Sequence, residues 1–145
     1  MGEPPSEDLL DRLSRALEAR PEVLEGYLFG SAARGEQQAH SDVDVAVFVD
    51  RRALPDSPYG YAADLGTDLM GPAGTSRVDV VVLNDAPPLL YHRVLRDGIR
   101  LTSRDLVATT TREGRALSRY CDYVPQLAKI EAAYRARIRA GLFGR

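Results

Sequence analysis

Two aspartates stand at a spacing that could support chemistry at a metal ion. Asp42 and Asp44 are two residues apart in a stretch whose alternate members are all valine: Val43, Val45, Val47 and Val49. If this stretch is a strand, both carboxylates leave the same face, about 6–7 Å apart at the backbone. Paired carboxylates suit Mg²⁺, which completes its shell with water and substrate phosphates. An isolated Asp-x-Asp pair is nevertheless more often a polar strand edge that faces solvent.

A third aspartate interrupts a second run of valines. Asp79 lies within Val78-Asp79-Val80-Val81-Val82. An acid among valines costs free energy unless a cation or a hydrogen-bond donor meets it. A structural role explains Asp79 poorly, so it is a further candidate for the functional site.

A glycine-serine pair precedes the first two aspartates along the chain. Gly30-Ser31 follows the apolar run Tyr27-Leu28-Phe29 and precedes a short helix expected to begin near Ala32. Glycine lets the backbone approach phosphate oxygens, the following amides favour anions, and the Ser31 hydroxyl adds a hydrogen-bond donor. The turn therefore fits a nucleotide phosphate, and the alternative is an ordinary Gly-Ser turn.

These residues form one longer motif. The chain reads Gly30-Ser31-Ala32-Ala33-Arg34-Gly35, five further residues, and then Ser41-Asp42-Val43-Asp44. This resembles the G-S-x-A-x-G-x₅-S-D-x-D motif of the minimal nucleotidyltransferases, which belong to the DNA polymerase β-like superfamily. The resemblance implies that Asp42 and Asp44 ligate Mg²⁺ and that Asp79 is a third ligand and the base. It also implies that Gly30 and Ser31 hold the triphosphate of ATP, the expected donor.

The rest of the chain is similar to a narrower group, the antitoxins that are paired with HEPN-domain ribonuclease toxins. The similarity rests on the short length, on Asn84-Asp85-Ala86-Pro87-Pro88, and on the tail segment 119–125, although threonines at 109–111 replace the bulkier apolar residues expected there. It implies transfer of AMP to a tyrosine of the toxin partner. The alternatives are a non-catalytic antitoxin that binds and occludes its toxin, and a nucleotidyltransferase that acts on a small-molecule hydroxyl.

Composition limits the other functional classes. The chain has 145 residues, 44% of them hydrophobic and 28% charged, which is typical of one folded domain. A net charge of −2 provides no overall field for nucleic acid, and one cysteine, Cys121, provides neither a disulfide nor a zinc site. The sequence has no apolar run of spanning length and no signal-peptide pattern. We expect a cytoplasmic protein that binds neither membrane nor nucleic acid directly.

The hydrophobic pattern predicts an α/β fold: a small mixed sheet flanked by helices, followed by a helical tail. Residues 1–105 are expected to form the nucleotidyltransferase core and residues 106–145 the tail of the same domain. Strands are predicted at 27–29, 43–49, 78–83 and 99–101. Helices are predicted from the Ser6 cap to Pro21, at 61–70, at 89–96, and, after a Ser103 cap, at 105–123 and 126–140, with a break at Pro125.

The remaining polar and aromatic residues have less specific interpretations. Arg34 either contacts a phosphate or braces its loop, and His40 is expected to be exposed rather than a ligand. Cys121 is expected to be an inert thiol. Three tail tyrosines either pack against the core or form a partner surface: Tyr120, Tyr123 and Tyr134.

Overall fold

The computed structural model describes residues 4–35 and 42–141. Its helices are α1 (Glu7–Glu18), α2 (Gly30–Ala33), α3 (Tyr61–Ala73), α4 (Pro88–Asp97) and α5 (Leu106–Arg139). Its strands are β1 (Val23–Phe29), β2 (Val43–Val49), β3 (Val78–Val82) and β4 (Ile99–Ser103). Short 3₁₀ turns follow β2 and β3, at Arg51–Ala53 and Leu83–Asp85. Across these residues, none of the helices combines the length and apolar character needed to span a bilayer.

The four strands form one mixed sheet in the order β3-β2-β1-β4. β1 is antiparallel to both β2 and β4, whereas β2 and β3 run parallel. The predicted α/β fold with a small mixed sheet is therefore confirmed. The parallel pair matters most for function, because its register places Asp44 directly beside Asp79.

The two faces of the sheet are covered by different helices. The alternating valines of β2 face the larger core, which contains residues of α1 and α3 such as Leu13, Leu17 and Leu65. Ala46 and Phe48 of β2 face the smaller core, which contains Tyr91 of α4 and Ala116 of α5. Since side chains alternate along a strand, Asp44 belongs to the α4 and α5 side.

The helix α1 follows the sequence pattern closely. Ser6 Oγ accepts a hydrogen bond from the Leu9 amide at 3.1 Å, which satisfies one of the free donors of the first turn. Leu9, Leu13 and Leu17 then recur on one face and are buried in the larger core. Burial of such leucines against the sheet contributes about 2 kcal/mol each.

The bounds of the first strand and of the third helix differ from the prediction. β1 begins at Val23 rather than Tyr27, because Glu25 and Gly26 continue the strand although they interrupt its apolar pattern. α3 was predicted to end before Gly71 but continues through Pro72 and ends at Gly74, whose φ is +71°. Glycine adopts this left-handed conformation without steric cost, and its amide bonds back to the Met70 carbonyl at 3.0 Å.

The helical tail also differs from the prediction. Pro125 does not divide it, since α5 is continuous from Leu106 to Arg139. Pro125 is exposed, so water can satisfy the carbonyl that loses its amide partner. The cap is Asp105, which accepts from the Ala108 amide at 3.2 Å, and not Ser103, whose hydroxyl instead bonds with Thr109 at 2.7 Å.

Candidate active site

The three aspartates predicted from the sequence lie at one end of the β2–β3 pair, and we call them the carboxylate cluster: Asp42, Asp44 and Asp79. Asp44 and Asp79 are paired by register across the parallel strands. Asp42 was predicted on the strand but lies one residue before β2. Asp42 and Asp79 are exposed and Asp44 is half-buried. The cluster therefore opens to solvent on the α4 and α5 side, with Asp44 at its base.

The carboxylate cluster is electrostatically strained. Burial, followed by repulsion from Asp79 and from Asp42, raises the pKa of the Asp44 carboxyl above its usual value. Arg34 acts in the opposite direction and lowers this pKa. The three acids are thus close enough to disfavour one another's charge, and a cation placed among them would relieve that repulsion.

This donor set fits Mg²⁺ in its chemistry, although it does not form a complete protein cage. All three side chains offer hard carboxylate oxygens, which Mg²⁺ prefers. Among residues 4–35 and 42–141, no group of three or more His, Cys, Asp or Glu side chains is placed so that it could hold a metal ion by itself. A magnesium ion held here would complete its coordination with water and substrate phosphates, as this ion ordinarily does.

The glycine turn lies directly against the carboxylate cluster. Gly30 follows β1, begins the single-turn helix α2, and has φ of +73°. A Cβ at this position would collide with Oδ2 of Asp44. Glycine suits this position for two reasons: its φ is positive, and a Cβ would force the Asp44 carboxylate to move. Ser31, the next residue, is half-buried at the start of α2.

The structure gives Arg34 an electrostatic role. Arg34 ends α2, is exposed, and lowers the pKa of the carboxyls of both Asp44 and Asp97. It therefore stands beside the carboxylate cluster, where it can offset part of the negative charge. His40 and Ser41 lie outside the described residues.

The tail side chains are divided between the body of the protein and solvent. Tyr120 stacks on His92 of α4, with ring centroids 3.6 Å apart and planes 4° from parallel. Tyr123 is half-buried, whereas Tyr134 is 48% exposed. Cys121 is exposed. Packing is thus the observed role of Tyr120, whereas about half of the Tyr134 side chain is exposed.

A family model matches the part of the chain that contains this site. The model for polymerase β nucleotidyltransferases matches residues 11–106, which include the glycine turn and all three aspartates. The chain belongs to the polymerase β nucleotidyltransferase family. The superfamily predicted from the motif is therefore confirmed. Among curated proteins, none matches the chain.

Solved structures with this fold include the antitoxin group that the sequence resembles. A crystal structure of a toxin–antitoxin with AMP-PNP has a TM-score of 0.69 and 24% identity, over 86% of this chain and 98% of that one. A tri-AMPylated Shewanella oneidensis HEPN toxin in complex with its MNT antitoxin gives 0.63 and 21%, over 87% and 96%. The toxin–antitoxin MntA–HepT gives 0.65 and 21%, over 89% and 99%. The shared fold extends over nearly the whole of these chains.

Sequence reasoning missed one group of side chains near the site. Arg112, Arg115 and Arg119 line a cavity on the α4 and α5 side of the sheet, together with Phe48 of β2. Their spacing of three and four residues along α5 places them on one helix face, which is the signal that could have found them. Of the three, only Arg119 falls within the tail segment 119–125 on which the antitoxin resemblance rests.

Proposed function

We propose that this chain is a nucleotidyltransferase antitoxin that transfers AMP from ATP to a tyrosine of a HEPN-domain toxin. The observation that carries the proposal is the pairing of Asp44 with Asp79 beside the Gly30 turn, in a chain of the polymerase β nucleotidyltransferase family. The solved complexes of similar fold support ATP as donor and a HEPN protein as acceptor, since one contains AMP-PNP and another an AMPylated HEPN toxin.

Each side chain of the site has a defined role in this proposal. Asp42, Asp44 and Asp79 hold Mg²⁺, which when bound supplies charge neutralisation for the departing pyrophosphate. Gly30 lets the backbone approach the triphosphate, and Ser31 donates its hydroxyl to a phosphate oxygen. Asp79 accepts the proton of the tyrosine hydroxyl as that oxygen bonds to the α-phosphorus and the bond to pyrophosphate breaks. The products are AMP-tyrosine and pyrophosphate.

The helical tail contributes part of the toxin contact in this proposal. Its outer part projects apolar side chains at intervals of four residues: Ile130, Tyr134 and Ile138, which are 47–61% exposed. Arginines alternate with them at 135, 137 and 139. Exposed aromatic and guanidinium groups together are typical of protein interfaces. Residues 1–105 then act as the catalytic core and residues 106–145 as the tail, in the cytoplasm where ATP is available.

The test separates catalysis from occlusion. A catalytic trace of this protein is incubated with the HEPN toxin, ATP and Mg²⁺, and the two proteins are separated. The proposal predicts an inactive toxin whose mass has increased by whole AMP units, and an Asp42→Asn variant that neither modifies nor neutralises it. An unmodified toxin that regains ribonuclease activity on separation would contradict the proposal and favour occlusion, especially if Asp42→Asn neutralised it as well as the parent.

A further inference from the structure

A second feature of the α4 and α5 side is a basic cleft at the far end of β2. It has a volume of about 850 Å³, and its walls include one strand residue and residues of both helices: Phe48, Tyr91, Arg112, Arg115, Ser118 and Arg119. Phe48 and Asp44 are four residues apart on β2 and point to the same face, which places them about 13 Å apart along the strand. An extended ligand with its reacting group at the carboxylate cluster would therefore reach the basic cleft.

The arginines of the basic cleft differ in what they bind. Arg112 is committed to Glu25, to which it donates two hydrogen bonds of 2.8 and 2.6 Å. Arg115 and Arg119 are exposed, and within the described part of the chain neither forms an ion pair. The Arg119 guanidinium lies 5.8 Å from the centre of the Tyr91 ring, which holds it over the cleft. The basic cleft thus presents two positive charges with no acidic partner of their own.

Tyr91 lines the basic cleft and, among residues 4–35 and 42–141, has an unpaired hydroxyl. Tyr91 is 1% exposed, and within the described residues its hydroxyl is the only fully buried side-chain polar atom without a hydrogen-bond partner. Burial, followed by the charge of Glu25, raises the pKa of this hydroxyl to about 12, so it remains a neutral donor at physiological pH. Arg115 and Arg119 are exposed cations without an acidic partner among the described residues, which is the chemistry of a site for an anion.

We propose that the basic cleft binds an acidic segment of the protein acceptor, about four extended residues from the hydroxyl that receives AMP. This inference rests on the proposed function. ATP does not supply the negative charge that the arginines of the basic cleft lack. Its phosphates are assigned to the Gly30 turn, and its adenosine end carries no negative charge. A carboxylate does satisfy it, since it accepts two parallel hydrogen bonds from one guanidinium.

The experiment uses the full chain and two short fluorescein-labelled peptides. Each peptide has one tyrosine, and the positions four and five residues away are either both glutamate or both glutamine. Binding is measured by fluorescence anisotropy without ATP, in the parent, in Arg115→Gln/Arg119→Gln, and in Arg52→Gln/Lys129→Gln. The last variant is the matched control, because it removes the same charge from two exposed side chains that do not line the basic cleft. ATP affinity is measured separately in all three proteins.

The expected result is that the parent binds the glutamate peptide about tenfold more tightly than the glutamine peptide, as charge-assisted hydrogen bonds require. Arg115→Gln/Arg119→Gln should lose this preference while its ATP affinity stays within about twofold of the parent. The control should keep the preference.

Several results would overturn the proposal. Equal binding of the two peptides by the parent, no measurable binding of either, or an equal loss in the control would each exclude an acidic subsite here. Weaker ATP binding in Arg115→Gln/Arg119→Gln with an intact peptide preference would reassign the cleft to the nucleotide. Because peptide binding is measured without ATP, a negative result in the toxin assay described above would contradict the proposed transferase activity and leave the acidic subsite standing.

Discussion

Glu25 and Asp44 lie on neighbouring strands, and their carboxylates have opposite surroundings. Glu25 is 0% exposed, yet it accepts two hydrogen bonds from Arg112 and one from Thr109 at 2.9 Å. Asp44 is half-buried, and its nearest charged neighbours include two further aspartates. The first acid is compensated within the fold, and the second is compensated only in part, by Arg34.

The difference separates a structural acid from a functional one. A compensated buried charge ties elements together, and here Arg112 and Thr109 join α5 to β1 over more than 80 residues of sequence. In a group of incompletely compensated acids, the carboxylates repel one another until a further cation or a proton binds. This is the usual condition of a catalytic site. Burial alone would have ranked the two carboxylates in the wrong order of functional interest.

Neutralising the acids of the carboxylate cluster should cause the largest loss of activity. Asp42→Asn and Asp44→Asn should each lower the rate of AMP transfer at least about a hundredfold, because each removes the charge of a metal ligand. Circular dichroism should be unchanged in both. Initial rates with ATP labelled at the α-phosphate measure the effect, with Asp56→Asn, an exposed acid outside the cluster, as control. Near-parental turnover by either cluster variant would remove it from the mechanism.

Neutralising one member of the compensated pair should affect stability instead. Arg112→Leu leaves Glu25 buried without its cation, and we expect a loss of about 2–3 kcal/mol in the free energy of unfolding. This is below the full cost of breaking a buried pair because the Arg112 side chain is 21% exposed. Glu25→Leu/Arg112→Leu should be more stable than Arg112→Leu alone, since no charge is left unpaired. Urea denaturation measures both, and a single variant within 1 kcal/mol of the parent would be inconsistent with the pairing.

Two glycines with positive φ differ in what an added side chain would contact. Gly30 and Gly74 have φ values of +73° and +71°, but an added Cβ meets the Asp44 carboxylate only at Gly30. Both alanine variants should lose about 1–2 kcal/mol of stability from the strained backbone. Gly30→Ala should also lower AMP transfer about tenfold by displacing a metal ligand, whereas Gly74→Ala keeps its full rate. Thermal unfolding and initial rates together test this, and equal activities would show that the close approach is unimportant.

Removing the hydroxyl group from either of two tyrosines beneath α5 should change stability by about 1 kcal/mol or less. Tyr27 donates its hydroxyl to Glu113 at 2.7 Å, whereas the Tyr91 hydroxyl has no partner among the described residues. Tyr27→Phe should cost about 1 kcal/mol of stability through the lost hydrogen bond. Tyr91→Phe should leave stability within about 0.5 kcal/mol of the parent or raise it slightly. A larger loss in Tyr91→Phe, measured by urea denaturation, would mean that its hydroxyl is bonded after all.

Local sequence patterns were sufficient for much of the site. The alternation of β2 and the glycine-serine turn select Gly30, Asp42 and Asp44, because strand periodicity and positive φ depend on neighbouring residues alone. The contact between Asp44 and Asp79 is different. It depends on the parallel pairing of β2 with β3, which joins segments distant in sequence and has no local signature.

The parts of the fold that escaped prediction depend on distant partners. Glu25 interrupts an apolar strand pattern, and its role is visible only from its hydrogen bonds with Arg112 and Thr109 of α5. The bond to Glu25 also explains why residue 109 is a threonine where a bulky apolar residue is expected. Pro125 and Pro72 are expected to break a helix, yet both helices continue through them. Tertiary contacts and solvation can offset these local penalties, and neither is encoded in residue spacing.

We propose that the carboxylate cluster and the Gly30 turn form one nucleotide site that a metal ion bridges. This is tested by calorimetric titration of ATP into the full chain, with Mg²⁺ and then with EDTA. We expect ATP to bind at least about tenfold more tightly with Mg²⁺, because Mg²⁺ would be coordinated by both the aspartates and the phosphates. The difference should disappear in Asp42→Asn/Asp44→Asn. Equal ATP affinity of the parent in Mg²⁺ and in EDTA would contradict the claim.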